Sequence, residues 1–223
     1  MKNLIPPFVL LLLLLVKTSD VSCQQLSPQE LLAKSIEYHD PSQFWNSYNG
    51  ILYFEEQQPD KEVRKTQVHI DNTTGYFKIN RGNELISGML LDSCFVEKGD
   101  ISCERTNILR DYYLYLWGLP MKLLDHKTVL SKEISYDTLN GTPYFTLQVN
   151  YPSDNWTFYL SRENYSLCAY KFIKPDQTGE FILLRDVVLV VGMKIPKNRS
   201  WYTLQDEYLG TDILNSTEKT KFH

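Results

Sequence analysis

Few side chains in this chain have the type and spacing to do chemistry. His39 and Asp40 are adjacent, and His69 and Asp71 stand two apart, which puts them on one face of a strand. Imidazole and carboxylate are suitable ligands for a small metal site, or partners in acid–base work. Against this, only 4 histidines occur in 223 residues, and polar residues at the ends of elements more often cap turns or face water. Glu55 and Glu56 could supply an acid and a base, but neighbours on a strand point to opposite faces, so a solvated edge is the simpler reading. A Gly-x-Ser-x-Gly nucleophile turn, a phosphate-cradling glycine loop, HExxH and a paired CxxC pattern are all missing. No catalytic residue, metal or cofactor is assigned, and the chain reads as non-enzymatic.

The cysteines say more. Residues 8–16 form an apolar run behind Lys2, too short for the ~20 residues that cross a bilayer, and read as the core of a signal peptide. The expected division is a signal peptide over residues 1–22 and one domain over residues 23–223. Ser22-Cys23-Gln24 offers a small residue before a cysteine, the chemistry of bacterial lipoprotein processing, so Cys23 is a candidate lipidation site and membrane anchor. The rival cut falls after Cys23. Further on, a two-residue loop at Lys98-Gly99 in CFVEKGDISC would set Cys94 opposite Cys103 across a hairpin, at a close pair suited to a disulfide. Two free thiols are the alternative. Cys168, in the apolar run LCAY, reads as a small buried hydrophobe.

The elements that must position these groups are mostly strands. A formal charge of −4 with dispersed acids and bases gives no footprint for nucleic acid. The 15 Tyr, 10 Phe and 4 Trp suit strands and a cavity rather than a disordered chain. Ser27, Pro28 and Glu30 form a helix start of the capping-box kind, and Leu31, Leu32, Ser35, Ile36 and Tyr38 give one mostly apolar face. After Asn49-Gly50 come short alternating runs, with DNTTG as a turn and Asn140-Gly141 as a strong hairpin signal. The pattern predicts an antiparallel meander in one domain. Six Asn-x-Ser/Thr sequons, at Asn72, Asn140, Asn155, Asn164, Asn198 and Asn215, carry weight only in a eukaryotic host.

The segment YYLYLWGLPMKLLD, residues 112–125, interrupts the strands. Its first six residues are apolar or aromatic on every side, so it must be enclosed by protein or line a cavity. Gly118 suits a helix C-cap and Pro120 blocks continuation, which predicts a helix ending near Trp117. Tyr112, Tyr113, Leu116 and Trp117 are candidate ligand contacts, with adaptable Met121 beyond them. Trp45 and Met89 are further candidates, ordinary core burial being the competing reading.

The ordered segments LLAKSIEYHDP, NGILYFEE, VRKTQVHIDN, YYLYLWGLPMKLLD and VGMKIPKNRSWYTLQDEYLGTDIL resemble a family of uncharacterised exported proteins of bacterial envelopes. That family is distantly similar to the LolA/LolB-type lipoprotein carriers and outer-membrane lipoprotein-sorting proteins. The resemblance implies a mainly β (α+β) fold: a curved antiparallel sheet forming an incomplete half barrel, with two or three helices over its open, concave side. It also implies an apolar cavity holding acyl chains, no catalytic residues and no cofactor. The expected partner is an apolar or acylated small molecule, or a lipidated protein, in the periplasm or at the envelope membrane. A structural or interaction module with a filled core is the alternative. The cavity would be unusually rich in tyrosine, and no residue here matches one that engages a lipoprotein.

Overall fold

The computed structural model describes residues 26–219. The expected leader and Cys23 lie outside the described residues. Helix α1 (Pro28–His39) starts as the spacing predicts: the Ser27 hydroxyl accepts from the Glu30 amide at 3.2 Å, and the Glu30 carboxylate accepts from the Ser27 amide at 2.8 Å. Its buried face carries Leu31, Leu32 and Ser35. A 3-10 turn (Trp45–Ser47) leads into the sheet.

Twelve strands form one antiparallel sheet. The first run is β1 (Asn49–Gln57), β2 (Arg64–Asp71), β3 (Tyr76–Asn80), β4 (Ile86–Leu90) and β5 (Ser93–Lys98). The second is β6 (Ser135–Leu139), β7 (Thr142–Asn150), β8 (Asn155–Ser161), β9 (Leu167–Ile173), β10 (Gly179–Val190), β11 (Met193–Thr203) and β12 (Tyr208–Lys219). The spatial order is β5-β4-β3-β2-β1-β12-β11-β10-β9-β8-β7-β6. Each run is a meander, and the two join where β12 pairs with β1. The sheet is curved and does not close, since β5 and β6 are its two edges. The chain between those edges is helix α2 (Cys103–Trp117) and a 3-10 turn (Met121–Leu124), so α2 is carried over the concave face. Two α-helices stand against the twelve strands among the described residues.

The turns follow the sequence. Asn140 and Gly141 both have positive φ, 49° and 78°, and join Leu139 to its partner Thr142 as the two-residue hairpin requires. In DNTTG, Asp71 accepts from the amide and hydroxyl of Thr73 at 2.9 and 2.6 Å.

Two expectations need correction. The helix that ends at Trp117 begins at Cys103, where the Ser102 hydroxyl caps the Arg105 amide at 3.1 Å. Its inner face is Thr106, Leu109, Tyr113, Leu116 and Trp117, a helical spacing diluted at the start by the polar CERTN. Cys94 and Cys103 are joined by a disulfide, though not across a hairpin. Strand β5 ends at Lys98 with Cys94 opposite Met89 of β4, and Cys103 is the first residue of α2. The capped helix start took the residues that a returning strand would have used.

The core lies between the concave face and the two helices. Leu52, Phe54, Val68, Ile70, Phe77 and Ile79 rise from the sheet to meet Tyr113, Leu116 and Trp117, all at most 4% exposed. Burial of each such side chain contributes about 1.5–3 kcal/mol. Gly118 does follow the helix, but at φ −88° it is not left-handed. A Cβ there would lie 2.4 Å from the Trp45 ring and 2.6 Å from the Leu114 carbonyl oxygen, so the absence of a side chain serves close packing. No helix among the described residues is long and apolar enough to cross a membrane.

Candidate functional site

Inward-facing residues on four adjacent strands change character at one level. Along β1 they run Leu52, Phe54, Glu56; along β2, read backwards, Ile70, Val68, Thr66, Arg64. Beside them Phe77 and Ile79 of β3 give way to Arg81, and Leu214 of β12 to Asp212, the partner of Glu56. One end of the concave face is therefore greasy and the other ionic. Where α2 crosses the ionic end it leaves a cleft of about 590 Å³. A neighbouring recess of about 600 Å³ shares Glu56, Lys61, Arg64 and Arg81 with it.

Glu56 organises the cleft. It is 6% exposed and accepts from Arg64 Nε at 2.5 Å, from the Thr66 hydroxyl at 2.9 Å and from the Tyr113 hydroxyl, with Arg81 Nη2 at 3.5 Å. Burial alone would push its carboxyl up, but the Arg81 charge, the Tyr113 hydroxyl and Arg64 together hold it below the usual range. Asp212 differs: burial raises it, against hydrogen bonds from the Tyr112 hydroxyl at 2.6 Å and Trp201 Nε1 at 3.1 Å. Both tyrosine hydroxyls are buried and held protonated well above their ordinary value, by burial first and by the neighbouring carboxylate next. Behind them the fully buried Arg199 donates to the Leu116 carbonyl at 2.7 Å and lies 3.5 Å from the Trp117 ring, a cation at the C-terminal end of α2. Ile108, Leu109, Tyr112, Trp201 and Leu209 form an apolar stretch of the remaining wall, and Gln57, Gln58, Lys61, Arg105, Glu180 and Thr211 add polar groups around it.

The predicted residues divide. Tyr112 and Tyr113 border the cleft. Leu116 and Trp117 face the sheet beneath it, where Trp117 packs on Phe54 with ring centroids 4.5 Å apart. Met121, Trp45 and Met89 sit in the packed core, Trp45 stacked on Tyr48 with centroids 6.0 Å apart. The concave face is filled by α2, so the open space lies at the polar end instead of in an apolar interior. Glu56, read as a solvated edge, is a correction: it does face away from Glu55, but it faces inward into its ionic cluster. The alternation that placed Leu52 and Phe54 inside placed Glu56 there too, and that was the available signal for the cluster. Arg64, Arg81, Arg105, Trp201 and Asp212 were missed for want of that register.

The histidines are engaged elsewhere. His39 donates from Nδ1 to the Lys194 carbonyl at 2.5 Å and accepts at Nε2 from the Leu167 amide at 2.9 Å, tying α1 to β11 and β9. Asp40 accepts from the amides of Phe44 and Trp45, both at 2.8 Å. His69 meets Asn49 at 3.2 Å. No group of three or more His, Cys, Asp or Glu able to hold a metal comes together among the described residues.

A curved, unclosed antiparallel sheet crossed on its concave side by a helix defines a LolA-like fold. It is similar, at 10% identity and a TM-score of 0.50, to the LolA superfamily protein NE2245 from Nitrosomonas europaea, covering 88% of this chain and 95% of that one. A DUF1329 family protein from Desulfovibrio piger is similar at 9% identity and a TM-score of 0.51, covering 86% and 92%. The chain belongs to a family of unknown function, DUF6503, whose model matches residues 7–216. No curated protein matches it.

Proposed function

We propose that this protein is a non-enzymatic binding protein of the bacterial envelope, which takes an acylated or otherwise apolar ligand in the cleft between α2 and the sheet. The observation that carries the reading is the wall of Ile108, Leu109, Tyr112, Trp201 and Leu209 beside a polar mouth, in a space of about 590 Å³. That is the size of a small-molecule site. The LolA-like fold and the apolar run of residues 8–16 ahead of Cys23 agree with it. Purified protein exposed to a total bacterial lipid extract, washed and then stripped should release lipid detectable by mass spectrometry. The Leu109→Glu variant should release much less. Protein that stays empty at every lipid load overturns the reading.

The second reading, an interaction module, is favoured by one observation: Tyr113, Leu116 and Trp117 fill the concave face, none more than 4% exposed. It predicts an unchanged thermal midpoint in the presence of lipid, whereas a ligand bound only to the folded state raises that midpoint.

A further inference from the structure

The cleft's charges are unequally engaged. Its two innermost acids are answered from within: Glu56 by Arg64, Arg81, Thr66 and Tyr113, and Asp212 by Tyr112 and Trp201. Its cations are answered only in part, although Lys61 donates to the Gln58 side chain at 2.7 Å. Arg64 uses Nε on Glu56, and neither of its two terminal nitrogens has a protein acceptor among the described residues. Its side chain is 43% exposed. Arg81 uses Nε on the Thr66 hydroxyl at 3.2 Å and Nη2 on Tyr113 and Glu56, which leaves Nη1 open. One buried carboxylate thus holds two guanidinium groups side by side, with donors left over at the mouth. Arg105 adds a third guanidinium to the same lining, while Glu180 lies in the cleft wall and Glu62 and Glu84 border only the outer recess.

Planar guanidinium groups fixed in this way suit carboxylate or phosphate oxygens, which accept two parallel hydrogen bonds. The same cleft is lined by the apolar Ile108, Leu109, Tyr112 and Leu209. We infer that Arg64 and Arg81 form an oxyanion subsite for the head of an amphiphile, its acyl chain lying along that wall. The inference rests on the ligand-binding reading above and specifies its ligand: an anionic amphiphile, bearing a carboxylate or a phosphate, in preference to a neutral one. An uncharged lipid offers the fork only neutral acceptors, without the charge that strengthens such bonds and the paired oxygens that match a guanidinium.

The test is calorimetric titration of the full mature protein with sodium dodecanoate, monododecyl phosphate, 1-dodecanol and inorganic phosphate, each below its aggregation concentration. Both anionic amphiphiles should bind at least about tenfold tighter than dodecanol, with an affinity that falls as sodium chloride rises. Arg64→Gln should lose about tenfold for the anionic pair and nothing for dodecanol. Dodecanol binding as tightly as dodecanoate overturns the subsite while leaving the ligand-binding reading intact. Failure of every amphiphile removes both. Inorganic phosphate binding as tightly as dodecyl phosphate assigns the fork to a free anion and overturns the amphiphile. Should Arg64→Gln fail to fold, the order of affinities on the unaltered protein and its salt dependence still separate these outcomes.

Discussion

His39 carries an imidazole that the fold holds neutral. It is 1% exposed, and burial, set against its bond to Lys194 and reinforced by the nearby Arg199 and Lys194 charges, pulls it from 6.5 down to about 4. The unfolded chain therefore binds this proton more readily than the folded one between those values. The resulting stability, on the order of 3 kcal/mol, is present above pH 6.5 and lost as pH falls towards 4. Urea unfolding across that range should show the decline, and His39→Gln, less stable at pH 7, should flatten it. A variant with the original slope would remove His39 as its source. Glu56 gives a sharper case. Glu56→Leu leaves Arg81, 13% exposed, facing Tyr113 without a counter-charge, and should cost about 3–5 kcal/mol in the same assay. Arg105→Ala, at an exposed position, should cost under about 0.5 kcal/mol. The residue types were readable from the sequence and their partners only partly so. His39 is fixed by main-chain atoms of residues 167 and 194, far along the chain, whereas Glu56 stood in a legible alternation with Leu52 and Phe54.

The decisive element is α2, which is fastened at both ends. Its first residue is bonded to β5 through Cys94–Cys103, and its last turn is capped by Arg199. With a sequence separation of 9, that disulfide should contribute about 2–3 kcal/mol by limiting the unfolded chain. Cys94→Ser/Cys103→Ser protein should unfold at correspondingly lower urea, and equal midpoints would show that the bond adds nothing. The sequence marks the end of α2 clearly, through Gly118 and Pro120, because chain-breaking residues act locally. Its start is less legible, since a Ser102 cap beside a plausible Lys98-Gly99 turn offers two competing local solutions. Only tertiary packing of Leu109 and Tyr113 decides between them.

At the scale of the whole molecule, the two meanders depend on β12, which pairs with β1 on one side and β11 on the other. A chain ending at Leu204 would lack that bridge and should lose cooperative unfolding, seen as a broad, sloping urea transition by circular dichroism. The ordered segments gave away the fold class, because each strand and turn has its own local pattern. The β1–β12 pairing had no such signal: contacts between the two ends of a chain leave no mark in either segment. The cleft was hidden for the same reason, since its walls come from β1, β2, β10, β11, β12 and α2 and from Arg81 just after β3. Above all, the proposed function requires an acyl chain to occupy this cleft beneath α2. Photo-crosslinking with a diazirine-bearing dodecanoate, followed by peptide mapping, would show where the chain lies. Labels should fall on peptides containing Ile108, Leu109 and Tyr112 and on those containing Leu209, and excess dodecanoate should suppress them. Labels concentrated on the exposed row of Val187 and Leu189 in β10, or spread without competition over the surface, would contradict it.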